Sequence, residues 1–190
     1  MADDSRQHDA TLARRAAAGC AESFATLARR HQTAVRHYVQ RLARRTGQGD
    51  ADDVVQEALL RAWQGLAGYD PQWAFSTWLF TIARRSWLNH ARAGQRRSNR
   101  EAAVAGARPS PTESEPAASL IAAERASLIW DLAAASLSEQ EFTATWLRYV
   151  EEKPLSEIAV VLGKPEATVK TILFRARKRL GPLVKAEALE

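Results

Sequence analysis

A chain of 190 residues holds one domain or two small ones, and an apolar fraction of 46% suits a globular protein. The formal charge of +5 favours a polyanionic partner, which puts nucleic acid first among partner classes. The single cysteine, Cys20, excludes an internal disulfide and a thiolate metal cluster, and neither the polar opening MADDSRQHDATLARR nor any later apolar run predicts a signal peptide or a membrane span, so the expected setting is the cytoplasm.

Strand signals are sparse, and Ala, Leu, Arg, Glu and Gln recur at spacings of three and four, which predicts an all-α fold. A short helix from Asp9 to Ala18 stops at Gly19. The stretch ESFATLARRHQTAVRHYVQRLARR then puts Phe24, Leu27, Ala28, His31, Val35, Tyr38 and Leu42 on one stripe with arginines opposite, a long amphipathic helix ending at Gly47. Asp50 caps a third helix, from Ala51 to about Tyr69, with Val55, Leu59, Ala62 and Leu66 facing inward. YDPQWAFS reads as a loop, after which Ser76 caps a fourth helix running to about Gly94.

Beyond that helix, GQRRSNREAAVAGARPSPTESEPAAS is first basic and then rich in Pro, Ser, Ala and Glu, with no apolar period, and reads as a flexible linker. The period returns in helices near 118–136 and 139–151. The predicted organisation is two small helical domains, 1–97 and 118–190, joined by a linker over 98–117.

The last two helices lie in LSEIAVVLGKPEATVKTILFRARKRL. Ser156 is a candidate N-cap, Ile158, Ala159 and Leu162 face inward, Gly163 makes the turn, and Pro165 suits the first turn of the next helix. That is helix-turn-helix grammar. The second helix buries Val169, Ile172, Leu173 and Ala176 and presents Glu166, Lys170, Thr171, Phe174, Arg175 and Lys178, with no acid between Lys170 and Lys185. Such a face fits a major groove, where arginine forks to guanine and lysine meets phosphate. The plainer alternative is a solvated cationic helix on a bundle. Read alone, this half would suit a stand-alone helix-turn-helix regulator of duplex DNA.

The first half adds two further clues. From Arg84 to Arg100 there are arginines at 84, 85, 92, 96, 97 and 100 and no carboxylate, with Phe75, Trp78, Phe80 and Trp87 nearby. Cations tracking phosphates beside rings that stack on unpaired bases are what a single-strand binder needs, although Trp78, Ile82 and part of Trp87 equally suit a small core. In DADDVVQEALLRAW, Asp53, Gln56, Glu57 and Leu60 lie opposite the buried stripe, an acidic surface in a basic half that points to a protein partner. Acids at a helix N-terminus also favour its dipole, which accounts for Asp52. A metal site is disfavoured, because His8, His31, His37 and His90 are scattered and no second carboxylate cluster accompanies Asp53 and Glu57.

Taken together, these residues resemble an extracytoplasmic-function (ECF) sigma factor, the smallest two-domain class of bacterial transcription initiation factors. The likeness spans about 10–97 and 120–182. It rests on AAAGCAESFATLARRH, on DADDVVQEALLRAW followed by YDPQWAFSTWLFTIARRSWLNHAR, and on LSEQEFTATWLRYVEEKPLSEIAVVLGKPEATVKTILFRARKRL, in that order. The resemblance implies that Asp53, Gln56, Glu57 and Leu60 dock the β′ coiled coil of core RNA polymerase. It implies that Tyr69, Ser76, Ile82, Arg84, Arg85, Asn89 and Arg92 handle the −10 element, including one base flipped from the non-template strand. Lys170, Thr171, Phe174, Arg175 and Lys178 fall where the family reads the −35 element as duplex. Further implied partners are the polymerase β flap and an anti-sigma factor; no catalytic residue, metal or cofactor is implied. Three positions depart from the pattern: Cys20 stands where an acid is common, Arg85 where several members carry Asn, and Ile172 where Arg is frequent.

Overall fold

The computed structural model describes residues 2–46, 50–102 and 121–187, and every regular element among them is helical. The elements are α1 (Ala2–Ala17), α2 (Ala21–Thr46), α3 (Ala51–Gln64), a 3₁₀ turn (Leu66–Gly68), α4 (Phe75–Ala102), α5 (Ile121–Ser136), α6 (Glu139–Tyr149), α7 (Leu155–Leu162) and α8 (Glu166–Glu187). Helices α1 to α4 form one lobe and α5 to α8 the other.

The apolar stripes explain the packing within each lobe. Leu27, Val35, Tyr38, Val39 and Leu42 of α2 are fully buried, against Val54, Val55, Ala58 and Ala62 of α3 and Phe75, Leu79, Phe80 and Ala83 of α4. In the second lobe Phe142 and Leu147 of α6 meet Ile158 and Val161 of α7 and Val169, Leu173 and Ala176 of α8.

Local chemistry sets several helix ends. Asp50 caps α3, its side chain accepting from the Asp52 amide at 2.8 Å. Ser138 and Glu141 form a reciprocal capping box at α6, the Glu141 amide donating to Ser138 Oγ at 3.3 Å and the Ser138 amide to Glu141 Oε2 at 2.9 Å. Gly163 closes α7 at φ 63°, and the Lys164 amide returns to the Ala159 carbonyl at 3.0 Å, so the helix ends in a Schellman turn. A Cβ at Gly163 would meet no neighbour within 4 Å, so the cost of one is conformational alone. Gly163→Ala is expected to destabilise the second lobe by about 1 to 2 kcal/mol, read by urea unfolding. An unchanged midpoint would mean that the turn relaxes out of the left-handed region.

Two expected caps are corrected. Helix α4 starts at Phe75, because the Ala74 carbonyl already accepts from Thr77 and Trp78 at 2.9 and 3.2 Å and the Phe75 ring is buried, so Ser76 lies inside the first turn. Helix α7 starts at Leu155 with Pro154 as N-cap, whose carbonyl accepts from Glu157 and Ile158 at 3.1 Å, so Ser156 is also internal. Helix α4 runs to Ala102, beyond Gly94 and into the stretch read as a linker; residues 103–117 of that stretch lie outside the described residues.

The two lobes pack on each other. Helix α2 lies against α5 and α4 against α7, and the buried apolar residues of both lobes form one cluster. At its centre the fully buried Tyr38 of α2 shares a 2.8 Å hydrogen bond with Thr143 of α6, and its ring meets Phe80 edge-on at 5.5 Å. Around this lie polar contacts across the seam. Arg84 of α4 forks to Glu139 of α6 at 2.7 and 2.9 Å, and Arg41 and Arg44 of α2 donate to Asp131 of α5. Arg45 donates to the Leu137 carbonyl. Lys153 Nζ donates to Ser76 Oγ at 2.8 Å and to Glu157 Oε2 at 3.0 Å, and Thr77 Oγ1 donates to that same carboxylate.

Three buried carboxylates set the acid response. Burial alone would raise Asp9, Glu141 and Glu157, but donors more than offset it and hold all three below the ordinary range. These donors are His31 and Arg30 at Asp9, Ser138 and Arg179 at Glu141, and Thr77 and Lys153 at Glu157. A depressed folded-state pKa gives stability that is present above the unfolded value and lost as pH falls through the folded one. Glu151, raised by burial, runs the other way: its contribution is full at low pH and is lost as pH rises through its folded value. With three groups against one, the melting temperature is expected to fall between about pH 5 and pH 3. A melting temperature constant over that window would contradict the three pairings.

Candidate nucleic-acid and partner interfaces

Helix α8 is divided into two faces by the packing of the turn. Val169, Ile172, Leu173 and Ala176 are buried, as the periodicity predicts, and Lys170, Thr171, Phe174, Arg175 and Lys178 all face solvent. Phe174 is 62% exposed in the middle of this cationic face, where burial in the core does not explain it. A ring flanked by lysine and arginine suits a groove, the ring lying on a thymine methyl while the cations reach base edges and phosphates. Thr171 is exposed, and its Oγ1 donates back to the Ala167 carbonyl at 3.1 Å.

On α3 the opposite chemistry appears. Asp53, Gln56 and Leu60 are exposed and Glu57 is half-buried, at positions that share one side of the helix. Leu60 is 56% exposed one turn beyond Glu57, an apolar anchor beside a charged surface. Glu57 pairs with Arg61 and lies 4.0 Å from His90 of α4, so its carboxylate is steadied against the first lobe's basic helix. Asp52, beside this face, pairs with Arg36 at 3.3 Å. Among the described residues, His, Cys, Asp and Glu form no group of three placed to hold a metal ion.

Helix α4 separates the residues expected at a −10 element into two groups. Arg85, Asn89 and Arg92 are exposed, and with Arg96 they follow the spacing of a single helical stripe, above the half-buried Ile82. At the upstream end of this stripe Trp78 packs against Tyr69 at 5.4 Å and Phe75 at 5.6 Å. The YDPQWAFS loop is fixed rather than loose: Tyr69 Oη donates to the Trp73 carbonyl at 2.9 Å, Asp70 Oδ1 accepts from the Gln72 amide at 3.0 Å, and Arg6 of α1 reaches the Gln72 carbonyl at 2.8 Å. Arg84 and Ser76 point elsewhere, into the seam, where they bind Glu139 and Lys153.

The aromatic signal is corrected. Phe75, Phe80 and Trp87 are buried in the first lobe's core, so these rings are not platforms for bases; Trp73 and Trp78 remain half-exposed. Sequence reasoning also missed the residues that join the lobes: Asp131, Glu139, Lys153 and Glu157. Burial of Lys153 (7% exposed) and Glu157 (4%) is their structural mark, and a Lys–Glu pair at i, i+4 was the one trace of it in the sequence.

An acidic face with an exposed leucine, a basic helix beside a fixed aromatic loop, and a helix-turn-helix with a cationic outer face fit the two-domain class of bacterial transcription initiation factor that the sequence resembles. Known proteins agree. The sequence profile of Sigma-70 region 2 matches residues 27–97, and that of Sigma-70 region 4 matches residues 127–180. The ECF RNA polymerase sigma-E factor of Escherichia coli K12 is 31% identical over 190 residues, covering 93% of this chain and 96% of the relative. The ECF sigma factor SigW of Bacillus subtilis is 31% identical over 137 residues, covering 69% and 73%. Among solved structures, CnrH in complex with the cytosolic domain of CnrY superposes with a TM-score of 0.66 at 26% identity, covering 94% of this chain and 98% of that one. The sigma factor RpoE of Bartonella quintana, solved with the anti-sigma factor NepR, shares the fold with a TM-score of 0.65 at 22% identity, over 86% and 98%.

The chain belongs to the ECF sigma factors. Its function is therefore promoter-directed initiation of transcription with core RNA polymerase, and the stand-alone regulator reading is not favoured, since a Sigma-70 region 2 domain accompanies the helix-turn-helix. Sigma factors are non-enzymatic initiation factors. Among the described residues, no helix is long and apolar enough to cross a membrane.

Proposed function

We propose that this protein acts in the cytoplasm and divides initiation between its lobes. Asp53, Gln56, Glu57 and Leu60 dock the polymerase β′ coiled coil, and the second lobe sits at the β flap. Lys170, Thr171, Phe174, Arg175 and Lys178 read the −35 duplex. Tyr69, Ile82, Arg85 and Asn89 receive a base flipped at the −10 element, with Arg92 on a flanking phosphate. The observation that carries the reading is the exposed stripe of Arg85, Asn89 and Arg92 running from a pinned aromatic loop, on a lobe that also presents the acidic face of α3. Strand opening costs a few kcal/mol per unstacked base, and contacts to the right base recover it. No catalytic residue or cofactor is assigned, since RNA synthesis belongs to the polymerase. An anti-sigma factor is a further proposed partner, supported by the likeness to CnrH, which is held by the cytosolic domain of CnrY.

Arg85 carries five donors and no acceptor, so it selects a base with acceptors on its exposed edge. Arg85→Ala is expected to change the preferred −10 base, by about 1 to 3 kcal/mol if the contact is bidentate. Arg92→Ala is expected to weaken all promoters alike and flatten the salt dependence. Open-complex formation on a set of −10 variants, with permanganate reporting unpaired thymines, separates the two. Equal loss on every variant for Arg85→Ala would make it a phosphate clamp and remove it from the base pocket.

A further inference from the structure

The loop that receives the flipped base in the reading above, on which this inference rests, is held from a helix that the Sigma-70 region 2 profile does not cover. That profile begins at residue 27, downstream of α1. Leu12, Ala13 and Ala16 seat α1 in the first lobe's core, and the helix packs along α2, the 3₁₀ turn and α4. It therefore lies against both elements that bound the YDPQWAFS loop.

Two side chains one turn apart on α1 make the connections. Arg6 Nη2 donates to the Gln72 carbonyl at 2.8 Å, across 66 residues of sequence. Asp9, 5% exposed, accepts from Arg30 at 2.8 Å and lies 2.7 Å from His31 Nε2. The His31 ring in turn sits 5.5 Å from that of Phe75, which meets Tyr69 and Trp78, each at 5.6 Å. Inside the loop, the Gln72 and Trp73 amides donate to Asp70 at 3.0 and 3.2 Å, and Tyr69 Oη donates to the Trp73 carbonyl at 2.9 Å. Such internal bonds give the loop a shape, and Arg6 ties its exposed middle to another helix.

We propose that Arg6 is a positioning residue for −10 recognition: by pinning the Gln72 carbonyl it holds the loop ready for one extruded base, while Asp9 and His31 steady the Phe75 end. A base entering a loose loop must order it, and that entropy subtracts from the contact energy, whereas a braced loop is ordered on folding. A loose loop also reshapes around the wrong base and a fixed one does not, so the brace acts on selectivity as well as on rate. Arg6 itself touches no nucleotide in this reading. Its longer contact, 3.4 Å to Glu157 Oε1 of α7, is no part of the brace.

The test uses the full chain with core RNA polymerase as wild type, Arg6→Met, which keeps the side chain's length without a donor, and Arg6→Lys, which keeps a donor. Open-complex rates are measured on promoters that differ at one −10 base. Arg6→Met is expected to lower the ratio of preferred to disfavoured base roughly tenfold, the size of one hydrogen bond to a charged donor, and Arg6→Lys to restore most of it. Lost stability alone would slow every promoter by one factor and leave the ratio intact. A wild-type ratio in Arg6→Met would overturn the proposal, as would the same loss in Glu157→Gln, which would move the effect to the α7 contact. Hydrogen exchange of the free protein gives an independent reading: the Gln72 and Trp73 amides are expected to exchange roughly tenfold faster in Arg6→Met, and equal rates would overturn the brace. Should wild type show no preference at the −10 base, the functional reading fails, while the exchange comparison still decides whether Arg6 holds the loop.

Discussion

Reversing Asp53 and Glu57 to lysine is expected to lower affinity for core RNA polymerase roughly a hundredfold, because like charges brought together at an interface cost several kcal/mol. The four residues of this face share one side of α3, while Val54, Val55, Ala58 and Ala62 make its buried side. Folding should therefore survive, with helicity retained. Leu60→Ala tests the apolar part of the same surface: a leucine 56% exposed in the free protein gains little there and should contribute mainly in the complex. Glu57 has a second role, since it pairs with Arg61 and lies near His90; Asp53→Lys alone is the cleaner variant. Undiminished binding by Asp53→Lys in a pull-down with core enzyme would remove α3 from the docking surface.

A second large effect is expected at Glu157, where the cost falls on stability. Its carboxylate is 4% exposed and accepts from Lys153 and Thr77, and Lys153 is itself 7% exposed. Glu157→Ala leaves a buried ammonium without its counter-charge, a change that costs about 3 to 5 kcal/mol. For a chain of this size that is a fall in melting temperature of about 10 °C. Pairing it with Lys153→Met should recover much of the loss, because the buried charge is then absent and an apolar stem replaces it. The double-mutant cycle distinguishes an ion pair from two independent packing positions; additive losses would sink the pairing.

The parts of the fold that were legible in the sequence are those governed by local periodicity and backbone chemistry. The inward stripe Val35, Tyr38 and Leu42, the Asp50 cap, the Gly163 turn and the two faces of α8 each depend on spacing or on one residue's conformational preference. Ser76 and Ser156 misled for an instructive reason. Both are good caps in isolation, but burial of the Phe75 ring and the entry of the chain through Pro154 start each helix earlier, and Ser76 is used by Lys153 instead. The aromatic cluster misled similarly, since a ring near arginines has the same spelling whether it stacks on a base or fills a core. The seam left almost no trace: Tyr38 and Thr143, or Arg84 and Glu139, are far apart in the chain, and no periodic pattern links them.

Of the candidate site, the outward residues of α3 and α8 were legible because an amphipathic helix declares both faces at once. Arg84 was not, because its neighbours Arg85 and Arg92 are also arginines, and only tertiary packing separates the one that is buried from those that face solvent.

The division of labour between the lobes is tested most directly by transcription with purified components. Core RNA polymerase alone, core with this protein, and core with Lys170→Ala/Arg175→Ala are each given the same genomic DNA, and transcript 5′ ends are sequenced. The expected result is a new set of start sites with this protein, sharing one element near −10 and another near −35, with the double variant losing discrimination at the −35 element while keeping the −10 element. Start sites unchanged from core alone, together with tight sequence-specific binding of duplex DNA by the free protein, would contradict the account.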